Sequence, residues 1–548
     1  MLNKKLGFFF KNLLLLTILF VAFGCANQQK PNGGPRDVTP PRLLHANPPN
    51  MTRRFNAKFI QLDFDEYFKL ASQYTEITMS PALDKDPEYK TKNKSLIIVF
   101  NKKDTLQKNT TYVINFGKAI QDVNEGNILK NFTYVFSTGN HIDSLSISGT
   151  VTNTVTQKKE KDITVMLFPL DKDSLYFGKK KPSIYTSTDS AGNFSLNNLA
   201  EGNYRIYALK ETSPNKIYDR DEELIGFLKK PIHLYTDTSG IQLNVFKEIP
   251  TKFHVEDKFN LDGTLSFIFN RPLNNPSLKI IYPPALNDQK LVDFTPTNDT
   301  AYLSIKNMDF DSVRVAILEN GKPIDSVSKM KGRKEAFQKT FSFYFNIGSA
   351  DKLKPGIDLK ITTTTPIDTF DPSLITLNED SVAVTNFTIV RDSLNSKKFY
   401  LKYRWKEDSK YVLIIDDGAF TTIFGDKNKR YSKPFTVDKS DNYSNLTLKV
   451  TVPDTSKAYI VQFYQDEKNI LQSNEITKNT SLVYKNFLTG KYQFRVIYDE
   501  NRNGKWDTGS VKQKRYPENI WVDTQAITLR PNWDAEESLV IPRENVIH

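Results

Sequence analysis

A chain of 548 residues exceeds what one hydrophobic core can organise, so about four to six domains are expected. Aromatic residues make up 12% and charged residues 25%, a globular composition that excludes a disordered or fibrous chain. Five histidines and one cysteine exclude a disulfide framework and leave little for metal-thiolate or histidine-based chemistry.

The N-terminus opens with Lys4, Lys5 and Lys11 around the apolar run LLLLTILFVAFG, residues 13–24, which is too short to span a bilayer comfortably and reads as an export signal. That run ends at Cys25, the chain's single cysteine. Ala22-Phe23-Gly24-Cys25 resembles a bacterial lipobox, although Ala22 and Phe23 depart from its commonest residues; the resemblance implies that Cys25 is lipidated and becomes the mature N-terminus. Residues 1–24 are then the signal peptide and 25–39 a Pro- and Gly-containing tether. Ala26 follows the cysteine with no acidic cluster behind it, which by resemblance to lipoprotein sorting implies the outer membrane, its periplasmic face preferred to the cell surface. On an exported chain, a net charge of +12 reads as solvated basic loops such as FGKKKP (177–182) and KMKGRK (329–334), and no nucleic-acid partner is expected.

The body alternates apolar and polar residues in short runs between Asn, Asp, Gly and Pro turns, the pattern of an all-β chain. In residues 40–139 the strands FIQLDF, SLIIVF, TYVINF and FTYVFS stand with TPPRLLHANPPN, LDFDEYF, LQKNTTYVINFGKAIQDVNEGN and a closing FSTG; together they resemble the bacterial Ig-like domain of surface-layer proteins. Residues 140–249 carry Gly149, then Asp189, Gly192 and Phe194 in D-x-x-G-x-F, then Leu199, Gly202 and Tyr204 in L-x-x-G-x-Y. These resemble the carboxypeptidase-regulatory or prealbumin-like β-sandwich, with Gly192 and Gly202 expected in tight turns and Tyr204, Ile206 and Ala208 facing inward. Residues 250–349 read as a β-sandwich without a recognisable motif. Residues 350–455 resemble a second Ig-like module, because SKYVLIIDDGAF (409–420) repeats TTYVINFGKAI (110–120). Shifting the sequence by 288 positions lays GNYRIYALKETSPNKIYD (202–219) on GKYQFRVIYDENRNGKWD (490–507) without a gap, which predicts a second prealbumin-like module over 456–548. Tandem Ig-like and prealbumin-like β-sandwiches, closing on Arg530, Asn532, Trp533 and Asp534 in R-x-N-W-D, resemble the multidomain Ig-like lipoproteins of Bacteroidota.

Candidate chemistry is sparse. Within YDENRNGKWDTG (498–509), Asp499, Asn501, Asn503 and Asp507 stand at the spacing of an EF-hand-like calcium loop, with Gly504 at its turn position; the terminal glutamate is missing. The first copy offers Glu211, Asn215, Asp219 and Glu222, with Lys216 where glycine is usual. Such a site would bind calcium weakly, on the order of 0.1–1 mM, and a plain Asn/Gly turn keeps the same residues; no other cofactor is expected. Nine Asp-Ser/Thr-Leu/Ala/Val tripeptides resemble an O-glycosylation sequon of exported Bacteroidota proteins, which implies Thr105, Ser144, Ser174, Ser190, Thr300, Ser312, Ser326, Ser381 and Ser393 as acceptors, while Asp-Ser is also good turn chemistry. Asp65 and Glu66, adjacent after the first long strand, are not expected to share a catalytic site. No nucleophile–base pair, zinc motif or phosphate loop stands out, so no enzyme and no small-molecule substrate are expected. The reading is a rod of about five sandwiches, lipid-anchored at Cys25, engaging protein partners of an envelope assembly. The alternative is a carbohydrate-binding array, or more remotely a glycan-active enzyme; Arg205, Tyr207, Gln493 and Arg495 are the outward positions of the repeat strands, too few aromatics for a stacking platform.

Overall fold

The computed structural model describes residues 36–83, 85–100, 106–332, 341–466 and 469–544, so the signal, Cys25 and Thr105 lie outside the described residues. They form two compact units divided between Ile142 and Asp143. Both are built from strands, with only short helical turns such as Gln73–Glu76 and Asp173–Tyr176. None of the described helices is long and apolar enough to cross a membrane.

The first unit is a two-layer sandwich. One sheet runs Leu43–Asn47, Phe59–Phe64, Ser95–Val99, Glu88–Lys92, and the other Thr78–Ser80, Thr111–Asn115, Thr133–Ser137. FIQLDF alternates as its spelling demands: Ile60, Leu62 and Phe64 are buried against Leu96, Ile98, Tyr112 and Phe136. Asp65 and Glu66 lie in the bend after that strand, not on it. Asp65 accepts from the backbone N–H and Nε of Arg42, while burial and neighbouring acids, Asp122 foremost, raise the Glu66 carboxyl.

The second unit holds four sandwiches. Its first comprises eight strands, with the opening strand Leu145–Asn153 antiparallel to Asn193–Leu199 and parallel to Thr238–Lys247. Gly149 is required where three strands crowd: a Cβ there would stand 2.0 Å from the Ile241 carbonyl oxygen. Its last sandwich repeats this wiring, Ser444–Thr451 lying antiparallel to Thr480–Phe487 and parallel to Trp533–Val540. Strand pairing therefore starts this sandwich at Ser444 and not near residue 456, and likewise places Phe343–Phe345 in the preceding module, with Leu359–Thr363.

That preceding module copies the first unit. Its sheet Phe343–Phe345, Leu359–Thr363, Lys398–Lys402, Thr388–Arg391 has the strand order of the first unit's four-stranded sheet. The Tyr411 hydroxyl accepts from the Lys406 N–H at 2.9 Å, as Tyr112 does from Gln107 at 2.8 Å. Along the chain, the second unit's first sandwich and that module are separated by a sandwich with sheets Val255–Phe259, Leu265–Phe269, Thr300–Ile305, Lys290–Phe294 and Pro276–Tyr282, Ser312–Glu319, Lys322–Met330.

In that central sandwich Arg271 grips Glu319 with two bonds of 2.9 and 2.7 Å, and the Asn274 N–H adds a third at 2.9 Å. These donors, the Arg271 side chain first, hold the Glu319 carboxyl at about 2, against an ordinary 4.5. The depressed value means that Glu319 stabilises the fold in full above pH 4.5 and loses that contribution as the pH falls towards about 2. Glu319→Gln is expected to lower stability at neutral pH and to flatten the loss between those two pH values, as read from denaturant midpoints across a pH series.

Candidate functional site

The two copies of the repeated turn follow the strands Gly202–Lys210 and Gly490–Asp499. In the second copy, Asp499 accepts the N–H of Asn503 at 3.1 Å and of Gly504 at 2.9 Å, one on each oxygen. Asn501 and Asn503 both donate to Asp507 Oδ2, Asn503 at 2.8 Å. In the first copy, Glu211 accepts the Lys216 N–H at 2.9 Å and Asn215 donates to Asp219 at 2.9 Å. Lys216 (φ 59°) and Gly504 (φ 72°) occupy the same left-handed position, so one backbone conformation serves both copies.

Glu222, counted as a ligand by spacing, is exposed, and its neighbour Glu223 is fully buried instead. Glu223 accepts the N–H groups of Thr212, Asp219 and Arg220 at 3.2 to 3.4 Å. Its counterpart is Glu518, which takes the N–H of Glu500 and of Asp507, each at 2.9 Å. Burial raises both carboxyls despite these donors. Among the described residues no three His, Cys, Asp or Glu side chains are grouped to hold a metal ion. The carboxylate oxygens face backbone N–H donors, and what this arrangement does chemically is close two tight loops.

What the loops support is the junction of the first and last sandwiches of the second unit. Tyr204, Ile206 and Ala208 face the inner core, but the opposite face of the same strand is not open either. Tyr207 and Leu209 join Met166, Phe168, Phe227 and Phe246 in a second cluster, against which Tyr218, Trp506, Val511 and Tyr516 pack. Tyr207, expected to point outward, stacks on Phe177 with centroids 3.9 Å apart and donates to Asp173 at 2.9 Å. Arg495 is buried as well, its Nε donating to Gln462 at 2.6 Å. Trp506 also touches a third cluster of Ile460, Ile497 and Ile520, and its indole N–H donates to the Glu518 carbonyl at 2.9 Å. Polar contacts complete the clasp. Thr508 donates to the Lys247 carbonyl, the Val511 N–H reaches Glu248 Oε1 at 2.7 Å, and the Lys229 N–H reaches the Tyr516 hydroxyl at 3.0 Å. The other Glu248 oxygen accepts from the Tyr218 hydroxyl at 2.8 Å, so the two repeated loops meet on one carboxylate.

This clasp corrects the rod within the second unit: its last sandwich docks on its first. The remaining junctions are made by Asn270 with Asp221 (3.0 Å), by Ser396 and Lys397 with Asp293 and Asp262 (2.5 to 2.8 Å), and by Asn486 with the Pro355 carbonyl (3.0 Å). Glu223, Glu248, Glu518 and Tyr516 escaped sequence reasoning, although the 288-residue repeat marked the openings of the loops that carry all but Glu248.

Of the tripeptide hydroxyls, Ser144, Ser174, Ser190, Ser381 and Ser393 are exposed, while Thr300, Ser312 and Ser326 are half-buried. Their aspartates build turns: Asp189 accepts the N–H of Ala191 and Asn193, and Asp392 those of Leu394 and Asn395.

With this geometry in place the chain can be set beside known proteins. Residues 37–138 match the family of bacterial Ig-like domains. No curated relative matches the sequence. Among solved structures, the major pilin subunit BcpA of Bacillus cereus is 11% identical over 72% of this chain and 99% of its own, with a TM-score of 0.14. The S-layer protein SbsC is 9% identical over 88% of this chain and 66% of its own (TM-score 0.15). SGBP-B of the Bacteroides ovatus mixed-linkage glucan utilization locus, solved with a mixed-linkage heptasaccharide, is 12% identical over 71% of this chain and 92% of its own (TM-score 0.17). Scores this low establish no shared overall arrangement.

Trp506→Ala is expected to cost about 3 kcal/mol and to speed tryptic cleavage at Lys512, Lys514 and Arg515, whereas Trp506→Phe retains most of the protection. Calcium at millimolar concentration is expected to leave the melting temperature unchanged, because Asp499 is occupied by its own backbone; a saturable rise would return the loop to cation binding.

Proposed function

We propose that this chain is a non-catalytic component of the cell envelope, held at the outer membrane by a lipid on Cys25 and working as a structural or protein-interaction lipoprotein of the Bacteroidota type. The observation that carries the reading is the contact circuit of the second unit. The acids and aromatics most suggestive of chemistry, Asp499, Glu518, Tyr207 and Trp506, are used to hold sandwiches together, which suits a preorganised scaffold. The carbohydrate-array alternative loses its platform on the repeat strands, since Tyr207 lies beneath Phe177. The periplasmic face remains the preferred placement, with envelope proteins as partners.

Labelling with radioactive palmitate in a Gram-negative host is expected to mark the wild type and not Cys25→Ser, which leaves the membrane fraction. Crosslinking in intact membranes is expected to capture a stoichiometric outer-membrane complex; specific glycan retention with no protein partner would overturn the scaffold reading.

A further inference from the structure

The module before the last sandwich turns one sheet face to solvent, and the register of its strands fixes what stands there. Phe343–Phe345, Leu359–Thr363, Lys398–Lys402 and Thr388–Arg391 lie side by side, with Ile361, Phe399 and Leu401 on the inner face. Alternation sends their neighbours outward. Tyr344, Thr362 and Lys398 form one cross-strand row, and Lys360, Tyr400 and Val390 the next. Lys402 stands two residues beyond Tyr400, on the same side. Tyr400 is therefore bordered by Lys360 across the strands and by Lys398 and Lys402 along its own, at about 5 and about 7 Å.

Charge on this face is one-sided. None of the outward side chains of the four strands is acidic, and among the described residues the ammonium groups of Lys360, Lys398 and Lys402 make no hydrogen bond or ion pair. Arg404, exposed two residues past Lys402, adds a fourth cation. Two acids stand at the rim, Asp358 just before Leu359 and Asp392 just after Arg391. Asp392 is already engaged, accepting the N–H groups of Leu394 and Asn395 and the Tyr400 hydroxyl at 3.1 Å, a bond that also holds the Tyr400 ring in place. Tyr344 is 62% exposed and Val390 45%, so apolar surface lies open among the cations.

We propose that this face binds an acidic polysaccharide, its charge carried by carboxylate or sulfate groups. A chain laid across the rows would meet cations from both central strands, while the tyrosine rings offer flat apolar surface to the C–H face of a pyranose. An anionic bilayer fits less well: it is best met by apolar side chains that reach past the headgroups, and mid-strand Tyr400 and Val390 are no longer than the lysines around them. An acidic peptide fits less well too, because sheets hold peptides by backbone pairing at an edge, and the two central strands are paired on both sides. The inference does not rest on the envelope reading. An outer-membrane protein complex would stand if no glycan bound, and a glycan held alongside that complex leaves both intact.

The test is binding of the full-length chain to immobilised polygalacturonate and dextran sulfate, beside neutral dextran, polyglutamate and phosphatidylglycerol vesicles. Saturable, salt-weakened binding to at least one of the two acidic glycans is expected, with dextran unbound and polyglutamate and vesicles at least tenfold weaker. Lys360→Gln combined with Lys402→Gln should weaken it at least tenfold and Tyr344→Ala at least threefold, with unchanged melting temperatures because these side chains point outward. Lys179→Gln combined with Lys180→Gln, an equal loss of charge on another loop, should leave it within twofold. Preference for polygalacturonate would identify a uronate ligand, and preference for dextran sulfate a sulfate ester. No saturable binding to either acidic glycan overturns the proposal. So does wild-type affinity in the Lys360/Lys402 variant, equal weakening in the two double variants, or binding of polyglutamate or vesicles as tight as that of the glycans.

Discussion

The second unit depends on covering an apolar surface that its first sandwich alone would expose. The strand Thr164–Pro169 is buried along almost its whole length, on both faces, and Gly202–Lys210 behaves alike over its second half. Met166, Phe168, Tyr207, Leu209, Ile225 and Phe246 form the outer face, a patch too large to leave in water. The helical turn Asp173–Tyr176 with Phe177 covers part of it, and the loop carrying Trp506 and Tyr516 covers the rest. Once that face must be covered by a module roughly three hundred residues onward, the last sandwich has to return to the first.

The same constraint explains why one turn was kept twice with different residues. A buried acid inside a loop can be tolerated only if backbone N–H groups face it, and Glu223, Asp499 and Glu518, with the half-buried Glu211, are each arranged this way. The turn therefore acts as a rigid arm that aims an aromatic residue, Tyr218 in one copy and Trp506 in the other, into a shared cluster. Rigidity is what the cluster needs, because a mobile loop would lose ordering entropy on docking and return part of the gain.

Alternation made the sandwiches legible, and the long-range repeat made legible that the last sandwich shares the wiring of the second unit's first. Alternation states which way a side chain points, however, and not what lies beyond it; Tyr207 does point away from its own core, and only the docked module makes that outside an inside. Local chemistry misled in two places. Gly202 begins a strand opposite Leu234, and the left-handed turn residue is Asn198 (φ 55°), matched at the same 288-residue shift by Asn486 (φ 57°). Spacing drawn from a cation loop selected Glu222, whereas the backbone donors of the actual turn converge on Glu223, one residue on. A ligand pattern counts positions along the chain, but a hydrogen-bonded turn is satisfied by whichever carboxylate the fold brings back to it.

Closure also changes what the weaker junctions are worth. The Asn270–Asp221 bond is exposed, and as an isolated contact it would contribute little; the Lys397–Asp262 pair is partly buried. Within a circuit of four sandwiches, a broken junction stays close to its partner because the other three still hold, so its re-formation is intramolecular and its effective concentration high. The apolar clasp supplies the free energy, and the polar junctions, led by the buried Asp293–Ser396 pair, set the angles at which successive modules meet. Loss of the clasp would thus be felt at every other junction at once, although none of their contacts would have been touched.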